Sequence, residues 1–314
     1  MVLWAVVPPL LLLIYYHRRV SAPPLPRLLL FFVVGAISGF VALGLEWEFE
    51  SLASPVVGWD RMTRSLSGVA MRQLVEVGPI EEGSKLGGVV LTNLCLKRWY
   101  RPRSRQVSTV LATISVALGF AAEENWVYLS QGTASVFERL IGTPVHAFFS
   151  APWGYALAIS YNRTRRRDLI ARAWLNAVIC HALVNVLSSA WRYLPPLRFL
   201  SYGLFPFLLW MFWRLEGLLR RSQGKLPLVI ISSRTRIHRY WQRGLALFAL
   251  MLGGHAIFGF FLLARSLSFL SPSQLFSSHI TWFLVSRFLL NLMLALIAWG
   301  IYCYLRYTAT RWYR

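Results

Sequence analysis

Charged residues are scarce in this chain. Only 14% of its 314 residues are Asp, Glu, Lys or Arg, against about a quarter in an ordinary soluble domain. That shortage, with 56% hydrophobic residues, excludes a solvated globular surface and leaves an all-α, polytopic integral membrane bundle. Acidic residues are scarcer still, 12 against 33 basic. The net charge of +21 would suit nucleic acid, but the basic residues fall in short clusters between apolar runs, where the positive-inside rule puts them. A nucleic-acid partner is therefore excluded. Cysteine is nearly absent: Cys95, Cys180 and Cys303 all lie in apolar segments and make neither a disulfide framework nor a cysteine-rich metal site. There is no internal repeat and no low-complexity tract.

What is present is a series of apolar runs. Nine spans are expected, at about Val2–Tyr16, Leu28–Leu45, Leu66–Leu96, Val107–Leu129, Leu140–Tyr161, Leu169–Trp191, Leu197–Trp213, Gly244–Ala264 and Ile280–Tyr307. Most match the ~20 residues that cross a bilayer, and the longer ones can tilt. The first run has no basic segment before it, its charges (Arg18, Arg19) follow it, and Val20-Ser21-Ala22 has the flanking charge on the wrong side for a cleavage site, so it reads as a retained helix. One set of loops holds Arg18, Arg19, Arg27, then Lys97, Arg98, Arg101, Arg103, Arg105, then Arg163, Arg165, Arg166, Arg167, the basic stretch Arg214–Arg243 and finally Arg306, Arg311 and Arg314. The opposite set has Arg61, Arg64, Arg139, Arg192, Arg198 and Arg265 beside Glu46, Glu48, Glu50 and Asp60. This asymmetry predicts an N-terminus outside and a C-terminus in the cytoplasm of a plasma (inner) membrane. Residues 46–65 read as an external loop or interfacial helix. Residues 226–243, with Val229, Ile230 and Ile231 beside Arg234, Arg236, Arg239 and Trp241, read as an interfacial segment on anionic lipid at the cytoplasmic face.

Against this background five carboxylates and two histidines are out of place. Glu76, Glu81, Glu82, Glu123, Glu124, His146 and His181 all lie inside apolar runs. An ionised group at the bilayer centre costs roughly 2.5–3.5 kcal/mol on insertion scales. A bound ion, a water-filled pocket or mutual pairing would offset that. Helical spacing sorts the polar residues. Glu81 and Lys85 are four apart, as are Phe120 and Glu124, and His181 and Asn185, so each span carries one polar stripe. Carboxylates and imidazoles from separate helices suit a divalent metal, with zinc the leading candidate, and equally suit general-base activation of a water. Glu123, about 100° round the helix from Glu124, reads as a packing partner, His255 as a packing residue, and Arg72 and Arg287 as snorkelling or paired. The Gly35-x-x-x-Gly39 string reads as a small-residue packing face. Counting along the helices puts the polar centre in the outer half of the membrane.

At these residues the chain resembles a known family. Glu81-Glu82-x-x-Lys85, Gly119-Phe120-Ala121-x-x-Glu124-Asn125, Pro144-x-His146-Ala147 and His181-x-x-x-Asn185 look like the four motifs of the PrsW intramembrane proteases, within the wider group of CAAX-processing and bacteriocin-processing-like membrane proteases. Pro8, Tyr15-Tyr16-x-Arg18-Arg19 and the region of Gly35 are also similar, so the likeness runs from about Val2 to Trp213. It implies a helical membrane core over residues 1–213, leaving 214–243 as a cytoplasmic basic linker and 244–314 as a two-helix extension. It also implies cleavage of a membrane-anchored protein, an anti-sigma factor in the best-known member, near the extracytoplasmic face. On that footing Glu81 is the expected base, Glu82 supports it or binds the metal, and Lys85 is the counter-charge to Glu81 or Glu82. Glu124, His146 and His181 are the expected ligands of a divalent ion or, without one, position the water. Asn185 stands where PrsW proteins often have Asp, which favours hydrogen-bond donation to an oxyanion over metal ligation. The family carries the metalloprotease label, while relatives have been read as glutamate-type hydrolases without an obligatory zinc. A proton-coupled transporter and a catalytically inactive binding protein of the same fold are the alternatives.

Overall fold

The computed structural model describes residues 1–20, 23–96, 105–160, 167–226, 230–231, 235–268, 270–275 and 277–311. Ser21, Ala22, Lys97, Arg98, Arg101, Arg103, Tyr161, Arg163, Arg165, Arg166, Val229, Arg234 and Arg314, which entered the span and charge reading, lie outside the described residues. Among the described residues every regular element is helical. The α-helices are α1 (Val2–Arg19), α2 (Leu25–Ala53), α3 (Trp59–Met62), α4 (Leu66–Arg72), α5 (Gly78–Leu96), α6 (Arg105–Ser130), α7 (Val136–Ser160), α8 (Arg167–Ser189), α9 (Pro195–Arg198), α10 (Leu204–Ser222), α11 (Arg236–Leu267), α12 (Pro272–Leu275) and α13 (Ser278–Arg311). A π-helical turn, Gln73–Val77, joins α4 to α5. Each expected span has a helix under it, and α4, the π turn and α5 together make up the third. Five helical stretches, those over α2, α6, α8, α11 and α13, are long and apolar enough to cross a membrane by length and composition.

The chain divides into two compact units, Met1–Ser189 with Arg214–Leu226, and Ala190–Trp213 with Pro227–Arg314. In the first unit α6 is the axis. Its apolar stretch is almost wholly buried, with α1, α2, α5 and α7 packed around it. Phe31, Val89, Ala112, Val116, Trp153, Leu157 and Ala177 form its core, drawn from α2, α5, α6, α7 and α8. Two glycines bring α2 and α6 together. A Cβ on Gly35 would stand 2.1 Å from the Val116 carbonyl oxygen, and one on Gly119 1.8 Å from that of Phe32. No side chain fits either place, so the small-residue face of α2 sets this crossing distance.

Three spans have ends that differ from the sequence expectation. α2 continues past Leu45 to Ala53, because Glu50 pairs with Arg72 and no glycine or proline interrupts it. The seventh span starts later and ends later. Pro195-Pro196 opens the short α9, a 3-10 turn over Phe199–Gly203 follows, and α10 then runs to Ser222. Met211, Leu215 and Leu219 recur on one buried stripe, while Arg214 donates to Asn176 Oδ1 (2.6 Å) and Glu216 accepts from Arg19. Paired charges let a helix continue where charge alone predicts a linker. α11 likewise begins at Arg236 rather than Gly244, capped by Thr235. In the second unit α11 packs against α13, and Tyr202 stacks on His255 at 5.7 Å, the packing role expected of that histidine.

Candidate active site

Lys85 is the hub of the polar cluster. It is fully buried, and its Nζ donates to Glu81 Oε2 (3.0 Å) and Glu82 Oε1 (2.8 Å), four and three residues back on α5. It also lies 3.1 Å from His146 Nδ1 on α7 and 4.0 Å above the Phe120 ring of α6. An ammonium only donates, so His146 Nδ1 accepts. A carboxylate only accepts, so His146 Nε2 carries the proton that it gives to Glu124 Oε2 at 2.6 Å. That assigns His146 a single neutral tautomer with both nitrogens engaged. Behind it Arg139 donates to Glu124 Oε2 (2.7 Å) and Asn125 Oδ1 (2.7 Å), and Asn125 donates to Thr143 (2.9 Å).

The two adjacent glutamates are placed differently. Glu82 is fully buried. Its Oε2 accepts from Ser150 Oγ (3.0 Å) and Trp153 Nε1 (2.9 Å) while Oε1 accepts from Lys85, so three donors fix it. Glu81 takes a hydrogen bond from Lys85 alone, on Oε2. Its Oε1 lies 3.8 Å from His181 Nε2, too far for a direct bond. His181 stacks on Phe149 at 4.5 Å. Its Nδ1 is buried, 3.7 Å from Glu82 Oε1, without a hydrogen-bond partner. One turn on, Asn185 Nδ2 donates to Gln73 Oε1 at 2.7 Å.

Glu81, Glu82, Lys85, Glu124, His146 and His181 thus belong to one connected cluster, as four inward-facing stripes require. Glu76 and Glu123 stand apart from it. Glu76 accepts from Arg72, which also pairs with Glu50. Glu123 lies against Gly39 of α2, consistent with a packing partner. The expected ion site is not assembled. Glu124 and Lys85 occupy the two nitrogens of His146, and the His181 ring lies 6.2 Å from that of His146. Among the described residues no three His, Cys, Asp or Glu are arranged to hold a metal ion. Lys85 already supplies the positive charge that would balance the carboxylates, so Glu124, His146 and His181 as placed do not fit a divalent ion.

Four residues of this site escaped the sequence reading. Arg139 was counted as a loop charge, and Gln73, Ser150 and Trp153 were passed over. A signal for three of them was present. Arg139, Thr143, His146, Ser150 and Trp153 follow one another at steps of four or three residues, a single face of α7. Gln73 gave no such signal, because the π turn breaks the helical period between it and Glu81.

Two comparisons with known proteins find similarity. A family model described as PrsW family intramembrane metalloprotease matches residues 23–211. The protein named Protease PrsW from Clostridioides difficile (strain 630) is 22% identical over 168 residues, 51% of this chain and 66% of that protein. The chain therefore spans just under two thirds of that relative's length. No solved structure matches.

Proposed function

The chain belongs to the PrsW family of intramembrane metalloproteases, and from that premise we propose that it is a membrane endopeptidase in which Glu81 activates the attacking water. The observation that carries this reading is the 3.8 Å gap between Glu81 Oε1 and His181 Nε2. It is the one place in the cluster where a carboxylate oxygen without a donor faces an imidazole nitrogen without a partner. A water held there gives a proton to Glu81 as its oxygen attacks the scissile carbonyl carbon. Asn185 donates to the oxyanion, a contact typically worth about 3–4 kcal/mol in the barrier. The proton then passes from Glu81 to the amide nitrogen as the C–N bond breaks. Lys85 donates to Glu81 Oε2 and brings a cation against the base. Glu82 anchors Lys85, and Arg139, Glu124 and His146 hold it from the other side. The family's description supports a metal cofactor, but the donors as placed do not fit one, and no step here runs through it. Cleavage of a candidate substrate by purified protein is expected to survive dialysis against a chelator. Loss of cleavage on chelation, with recovery on adding zinc, would overturn this reading and require His146 to part from Lys85.

All nine spans are proposed to cross a plasma (inner) membrane, with the N-terminus outside and the C-terminus in the cytoplasm. The substrate is then a membrane-anchored protein, of anti-sigma-factor type, cut towards the extracytoplasmic face. Arg236, Arg239, Tyr240 and Trp241, all exposed at the start of α11, would meet anionic lipid. The topology is tested with Ser51→Cys and Lys225→Cys, both at exposed positions, in a chain whose three cysteines are replaced by serine. An impermeant thiol reagent is expected to label intact cells at position 51 and not at 225. The reverse pattern would invert the orientation.

A further inference from the structure

We propose that Gln73 is the positioning residue for Asn185, fixing which end of its amide faces the reaction; this rests on the endopeptidase reading above. The torsion that turns an asparagine amide is broad and roughly two-fold, so on its own the side chain presents nitrogen or oxygen with similar ease. The contact with Gln73 selects the nitrogen. Gln73 Oε1 accepts from Asn185 Nδ2 at 2.7 Å, across 112 residues of chain, and that is the hydrogen bond that orients Asn185 among the described residues. With one N–H committed to Gln73, the second stays free as a donor. Asn185 lies four residues from His181, on the same face of α8, so that donor is carried by the stripe that borders the Glu81 water gap. Both Gln73 and Asn185 are only partly buried, which leaves room for a peptide beside them.

The backbone around Gln73 is built for this contact. Gln73 opens the π turn, and the Gly78 N–H closes it on the Gln73 carbonyl. A π turn inserts one residue into a helix, and such turns occur often at functional sites. Continuing α5 backwards as a regular helix would rotate Gln73 by about 100° relative to Glu81, away from α8. Gly78 makes the approach to α8 feasible. A Cβ there would stand 2.7 Å from the Gln73 carbonyl oxygen and 3.2 Å from Val178 Cγ1. Arg72, the residue before the turn, is held by Glu50 and Glu76, so the turn is tethered on its outer side as well.

The test uses the full-length protein with Gln73→Leu, Gln73→Glu, Asn185→Ala and the double variant Gln73→Leu/Asn185→Ala, assayed for kcat, KM and melting temperature in detergent. A misplaced catalytic group costs on the order of 10²-fold. Gln73→Leu is therefore expected to lower kcat by about 10- to 100-fold with KM little changed, the mark of an interaction made in the transition state. Gln73→Glu keeps an acceptor oxygen and is expected to recover most of the rate. The double variant is expected to be no slower than Asn185→Ala alone, because Gln73 acts through Asn185. Wild-type turnover in Gln73→Leu, losses that multiply in the double variant, or a Gln73→Glu defect as deep as Gln73→Leu would each overturn the proposal. Glu81→Gln separates it from the underlying reading. Undiminished cleavage in that variant removes Glu81 as base whatever Gln73 does, and a wild-type protein that cleaves no membrane-anchored substrate overturns both.

Discussion

Glu81→Gln is expected to lower cleavage by about 10²- to 10⁴-fold, the range for loss of a general base, while the protein stays folded and inserted. The two halves of that expectation come from the same geometry. Glu81 uses Oε2 for Lys85 and leaves Oε1 to the water gap. A glutamine of equal size can turn its carbonyl oxygen to Lys85 and its NH2 to the gap, so nothing buried is left unpaired. What it cannot do is take a proton. The neighbouring substitution behaves differently. Glu82 accepts from Lys85 on one oxygen and from Ser150 and Trp153 on the other. A glutamine at 82 must point its NH2 at a donor whichever way it turns, and such a mismatch costs about 1–3 kcal/mol. Turnover on a membrane-anchored substrate together with melting temperature in detergent distinguishes the two. Glu81→Gln should lose rate and keep stability, and Glu82→Gln should lose stability. Full activity in Glu81→Gln would remove the base from Glu81.

The fold was legible because its rule is simple. Backbone groups in lipid must be satisfied within a helix, so each apolar run of sufficient length announces a helix, and all nine expected runs contain one. Helix ends were less legible where tertiary pairs override charge. Arg214 and Glu216 read as the start of a linker but find Asn176 and Arg19 within the bundle. The site was legible as a set of stripes, because a polar residue in an apolar helix is conspicuous and repeats every three or four residues. The partners of each stripe were not. Whether Glu124 meets an ion or a guanidinium depends on how α7 is rotated against α6, and Arg139 lies seven residues before His146 on that same face. The spacing makes Lys85 a partner of Glu81 or Glu82. Only the packing of α5, α6 and α7 shows that its ammonium meets two carboxylates, an imidazole and an aromatic face at once.

That convergence makes Lys85→Met the most damaging single change expected here. Methionine fits the volume, so packing is not the main loss. The loss is electrostatic: Glu81 and Glu82 would lose the cation they share, and Glu82, fully buried, would keep only the neutral donors Ser150 and Trp153. Removing one member of a buried pair typically costs about 3–5 kcal/mol, because the remaining charge stays in a medium that solvates it poorly. His146 would lose the donor to Nδ1, leaving a buried acceptor without a partner. Cleavage is expected to fall to background and the melting temperature in detergent to drop sharply. The control that keeps this falsifiable is Lys85→Met/Glu82→Gln. If uncompensated charge is the cause, neutralising Glu82 should restore part of the stability lost in Lys85→Met, even though Glu82→Gln is itself destabilising in the wild-type background. Cleavage should stay absent in the double variant, since Glu81 would still lack the hydrogen bond from Lys85 that positions it. A Lys85→Met protein that melts and cleaves like wild type would show that the carboxylates have another counter-charge, and a divalent ion bound by Glu81, His146 and His181 would then be the first to look for.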